Sequence, residues 1–76
     1  MNKKEEKIEK FRQISEKRVN SILQKLKILG NLSNKSNYYY ENEDVTKIFQ
    51  AIEKATREVK DRFLNKEKNN AFQFKW

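Results

Sequence analysis

Residues 30–42 are the one stretch of this sequence equipped to reverse the chain. Gly30 is the sole glycine and proline is absent, so no other position breaks a helix through its backbone chemistry alone. Asn31, Ser33, Asn34, Ser36 and Asn37 follow, and their short polar side chains form local turns that compete with helix. Everything on either side reads as helix. The expected fold is therefore all-α, an antiparallel two-helix hairpin: helix 1 over about 5–29, a hinge at 30–42, helix 2 over about 43–65, and a tail at 66–76.

In the first arm, Ile8, Phe11, Ile14, Val19, Ile22, Leu26 and Leu29 recur every three to five residues, which keeps them on one helical face. Gly30 stands where a left-handed C-terminal cap is expected. The first two turns hold almost nothing apolar, so fraying is expected there unless a partner holds them. In the second arm Val45, Ile48, Phe49, Ile52, Ala55, Val59 and Phe63 form a cleaner apolar stripe. Asn42 or Glu41 suits the N-cap, and Glu43 and Asp44 complement the helix dipole. Leu32, alone among polar neighbours, is expected to plug the hinge end with Tyr38 or Tyr40 beside it.

A chain of 76 residues buries too little surface for a generous core. Without cysteine or histidine, neither disulfides nor the usual zinc ligands are available to supplement it. Self-association is left, as a dimeric four-helix bundle, or completion by a partner. No apolar run approaches the roughly 20 residues that span a bilayer, and the start lacks a signal peptide's apolar core. A cytoplasmic protein without membrane attachment is expected.

Charge is uneven along the chain. Residues 1–30 carry 9 basic and 4 acidic side chains, residues 31–42 one of each, residues 43–64 five of each, and residues 65–76 three and one. On a helical wheel Lys3, Lys7, Lys10, Lys17 and Lys25 form one stripe with Arg18 at its apolar border, and Glu5, Glu6, Glu9 and Glu16 fall on the other flank. Such a stripe suits the phosphates of a nucleic acid or a ribonucleoprotein; its plainer reading is a solvated face. Tyr38, Tyr39 and Tyr40 beside Lys35 offer a stacking platform for unpaired bases or, alternatively, cap the core with their hydroxyls in water. In the tail, Phe72, Phe74 and Trp76 alternate with period two. They either fold back to close the open end of the hairpin or anchor the chain on a partner.

Catalytic chemistry is sparse. Without histidine or cysteine, a serine or threonine nucleophile needs a pocketed lysine as its base, and the adjacent carboxylates Glu5–Glu6 and Glu43–Asp44 are explained by helix dipoles. No phosphate loop, EF-hand or zinc-finger pattern is present. The expectation is a non-enzymatic protein with no catalytic residues, no metal and no cofactor.

Arg18-Val19-Asn20, the run Leu29-Gly30-Asn31-Leu32-Ser33-Asn34-Lys35-Ser36-Asn37-Tyr38, Tyr40, and Asp44-Val45-x-Lys47-Ile48-Phe49-x-Ala51-Ile52-Glu53 resemble a pattern in short stand-alone helical proteins of bacteria and mobile elements. The resemblance covers residues 18–63. It implies a hinge with a specific fold in which Asn31, Asn34 and Asn37 make defined backbone contacts, and it carries no function. Two functional expectations follow: a nucleic-acid or ribonucleoprotein binder acting through the lysine stripe, or a phage- or mobile-element-encoded, anti-CRISPR-like inhibitor of a bacterial defence nuclease acting by protein contact. A bundle subunit without a ligand is a third.

Overall fold

Lysine and glutamate, both good helix formers, recur in both arms, and the computed structural model, which describes residues 2–64 and 74–76, is helical in both. Two α-helices, α1 (Lys3–Gly30) and α2 (Asn42–Phe63), account for the secondary structure together with a short 3-10 turn, Asn31–Ser33. No strand occurs among the described residues. The chain divides into two units, Met1–Tyr38 and Tyr39–Trp76.

In the first unit α1 runs for 28 residues, about 42 Å at 1.5 Å per residue. It begins two residues before the expected start, and its first turns are helical. Asn2 explains this: its side-chain Oδ1 accepts from the Glu5 backbone N–H at 2.8 Å, and its carbonyl accepts from the Glu6 N–H at 3.2 Å. Glu5 and Glu6 then place negative charge at the positive end of the dipole. A capped, charge-matched terminus offsets the lack of apolar content there.

The other end of α1 corrects the expectation for Gly30. Its φ of −59° and ψ of −25° are right-handed, and the helix tightens through Asn31–Ser33 before the backbone turns extended at Asn34, with φ −70° and ψ 102°. Asn34 is the true stop signal. Its Oδ1 accepts from the Ser36 N–H at 3.0 Å, and its carbonyl accepts from the N–H groups of Asn37 and Tyr38, each at 3.1 Å. Leu32, expected as a plug, is 47% exposed.

Gly30 therefore contributes only its entropic penalty. A Cβ built on it meets nothing within 4 Å. Gly30→Ala should stabilise the chain by about 0.4–1 kcal/mol, a rise of roughly 2–8 °C in melting temperature. A lower melting temperature for the alanine variant would instead require a left-handed Gly30.

In the second unit α2 spans 22 residues. Glu41 is the N-cap, one of the two expected positions, and it joins Asp44 in a reciprocal capping box; Asp44 Oδ2 accepts from the Glu41 N–H at 2.9 Å. Glu43 and Asp44 lie in the first turn, Lys60 and Arg62 in the last, each matched to the dipole. The helix closes where the Leu64 N–H donates to the carbonyls of Lys60 and Asp61, each at 3.1 Å. Val45, Ile48, Ala51, Ile52 and Ala55 are half-buried, and no described residue is fully buried.

Candidate functional site

Because α1 is unbroken from Lys3 to Gly30, its wheel holds along its whole length. At about 100° per residue, Lys3, Lys7, Lys10, Lys17 and Lys25 fall in a band about 80° wide, which runs roughly 33 Å along the axis. All five are exposed. Ile14 and Ser21 occupy the two skipped positions, and Arg18 lies about 20° outside the band, toward the apolar face. The opposite flank is polar and partly self-paired, with the Gln13 side-chain amide donating to Glu9 Oε1 at 3.3 Å. A polyanion approaching the lysine edge meets a row of cations with no interspersed carboxylate.

In the first turns, next to this band, Lys4, Lys7, Ile8, Phe11 and Arg12 line an open depression. Its lining combines three cationic side chains with two apolar ones.

The tyrosines do not share one environment. Tyr38 ends the Asn34 turn in the first unit, whereas Tyr39 and Tyr40 open the second. Tyr40 is half-buried, and Tyr39 is 86% exposed. The Tyr39 hydroxyl donates to Glu41 Oε1. That hydrogen bond, with smaller contributions from desolvation and from the Asp44 charge, raises the Tyr39 pKa above the usual value of 10.0. The phenol keeps its proton longer in the folded chain than in the unfolded one. The interaction thus stabilises the fold below pH about 10 and is lost as pH rises through the folded-state pKa. In an ultraviolet titration Glu41→Gln should move tyrosinate formation to lower pH; an unmoved curve would show that Glu41 does not hold the hydroxyl. Lys35 sits at the turn between Asn34 and Asn37.

At the carboxyl end, Phe74 and Trp76 pack edge to face, their ring centres 5.2 Å apart at 71°. Lys47 Nζ lies over the Trp76 ring, 5.6 Å from its centre. The terminus thus returns to the second turn of α2, next to the hinge, rather than to the helix's far end. Phe72 lies outside the described residues. Lys47 is the residue that sequence reasoning missed: on the wheel it belongs to the solvated face, and nothing local marks it as the partner of an aromatic ring 29 positions away.

Among the described residues no group of three or more acidic side chains could hold a metal ion, and no helix is long and apolar enough to cross a membrane. Comparison with known protein families, characterised proteins and solved structures yields no match, so function has to be read from the chain's own residues.

Proposed function

We propose that this chain is a small binding protein of the bacterial cytoplasm, without catalytic chemistry of its own, that contacts nucleic acid or a ribonucleoprotein through the lysine band of α1. The observation that carries this reading is the continuity of α1 over Lys3–Gly30, which keeps Lys3, Lys7, Lys10, Lys17 and Lys25 in register. Binding is directed at the phosphate backbone and depends steeply on salt. Lys35 and Tyr39, exposed at the hinge, add contacts.

The finer architecture belongs to the same proposal. The apolar stripe of α1 is largely exposed and that of α2 no more than half-buried, and burying such stripes is what stabilises helices of this length. An antiparallel hairpin that pairs with a second copy in a four-helix bundle, or with a partner protein, achieves this.

A second reading, an anti-CRISPR-like inhibitor encoded by a phage or mobile element that blocks a defence nuclease by protein contact, is favoured by one observation. The terminal Trp76 is 63% exposed although it is held over Lys47, as an anchor for a partner would be.

Light-scattering mass, with and without a short mixed-sequence RNA or DNA at low and high salt, separates these readings. A larger species that forms with nucleic acid and dissolves with salt supports the lysine band. Indifference to nucleic acid, with partner binding lost on deleting residues 71–76, supports the inhibitor.

A further inference from the structure

We infer that α2 pairs with α2 of a second copy, antiparallel, about a two-fold axis that passes between positions 53 and 54, with Asp44 of each copy facing Arg62 of the other. This names the partner of one apolar stripe, and it rests on the reading that association covers the stripes. Three observations within α2 lead to it.

First, the stripe reads nearly the same in both directions. Val45, Ile48, Ile52, Ala55 and Val59 recur at alternating steps of three and four residues, the spacing that interlocks two helices side by side. Turned end for end about the midpoint between positions 53 and 54, Ile48 falls opposite Val59 and Ile52 opposite Ala55. Each contact then occurs twice, as a two-fold interface requires. The small Ala55 leaves room for Ile52 at the centre, and at each end Val45 meets the aliphatic stem of Arg62.

Second, charge separates this direction from its reverse. Asp44 and Arg62 are 18 positions apart, five full turns, so they lie on the same edge of the stripe at opposite ends of the helix. An antiparallel pair brings each carboxylate to the guanidinium of the other copy, which suits bidentate pairing. A parallel pair would set Asp44 against Asp44 and Arg62 against Arg62. The acidic first turn, Glu43 and Asp44, and the basic last turn, Lys60 and Arg62, extend the same preference. Asp44 Oδ2 already accepts from the Glu41 N–H at 2.9 Å, but a carboxylate has four acceptor sites in all, so the cap and the ion pair coexist.

Third, the aromatic end of the chain occupies a different face. Lys47, which lies over the Trp76 ring, is about 130° around the helix from the centre of the stripe. On the stripe itself Phe49 and Val59 are exposed, and Ile48 and Ile52 are no more than half-buried.

The chain has no cysteine, so introduced cysteines report the register directly. Chains carrying Ile48→Cys and Val59→Cys are mixed in equal amounts and oxidised with glutathione disulfide, the products are identified by intact mass, and circular dichroism checks that each variant is helical. The expected product is the mixed 48–59 disulfide, to the near exclusion of 48–48 and 59–59, whose positions are about 16 Å apart along the axis in this register, beyond a disulfide's reach. Arg62→Glu should weaken association about 2- to 30-fold, since two exposed ion pairs are lost. Mixing that chain with an Asp44→Arg chain should restore it, because both ends then join opposite charges.

A dominant 59–59 product would show a parallel pair, and an assembly by sedimentation without any of these disulfides would show that α2 meets another surface. Either result overturns the inference and leaves association standing, as does an Arg62→Glu chain that associates as tightly as wild type. A wild-type chain that sediments as a monomer at every concentration overturns both.

Discussion

Replacing Lys7, Lys10 and Lys17 together by glutamate should abolish nucleic-acid binding while leaving α1 helical. Each substitution exchanges an attractive charge for a repulsive one in the middle of the band, so the variant carries acidic side chains where phosphates would approach. Lysine and glutamate have nearly equal helix propensity, and all three positions are exposed, so secondary structure should survive. The wild-type chain sets the scale. Five lysine contacts to a single strand give a log–log salt slope of about −3.5, and a threefold rise in salt should weaken binding roughly 50-fold. Anisotropy titrations of both chains across a salt series, with circular dichroism as the control, test the point. A triple variant that binds with wild-type affinity and slope would reduce the band to a solubilising surface.

The second large effect concerns the apolar stripes. Ile22 is 58% exposed in α1, and Ile52 lies near the centre of the α2 stripe, half-buried. If association covers both, Ile22→Asp with Ile52→Asp removes two buried side chains at about 1.5–3 kcal/mol each and adds charges that an apolar interface cannot solvate. Set against a total stability on the order of 5–15 kcal/mol, that loss should dissociate the assembly and remove most of the helix signal. Sedimentation and circular dichroism over a hundredfold range of protein concentration are the measurements. Helicity that is independent of concentration and untouched by the two aspartates would mean that each helix stands by itself.

The helices were legible because their causes are local. The apolar stripe of α2 and the acidic pair Glu43–Asp44 located it at about 43–65, against Asn42–Phe63 in the structure. Helix 1, expected over about 5–29, occupies Lys3–Gly30; the missed turn depends on Asn2, a cap whose effect is easily discounted beside the dense charge that follows. Gly30 misled for an instructive reason. Glycine permits a left-handed backbone without demanding one, and here the helix ends instead at Asn34, in extended backbone, where its side chain and carbonyl gather three backbone donors. The lysine band needed only helical periodicity and so could be read from the sequence. The contact of Trp76 with Lys47 could not, because it depends on the path of the intervening chain. The tyrosines differ from one another because Glu41 both caps α2 and accepts from Tyr39, a double role that residue type alone does not reveal.

The absence of fully buried side chains among the described residues also shapes how this chain responds to temperature. Heat capacity rises on unfolding mainly because apolar surface becomes hydrated, and a chain whose described apolar side chains are exposed or only half-buried has less to hydrate than one with a closed core. Unassociated, it has a shallow, nearly straight free-energy curve against temperature and melts over a broad range. If the stripes are covered as proposed, curvature and a sharp transition enter with that association, and thermal cooperativity would belong to the assembly more than to the single chain.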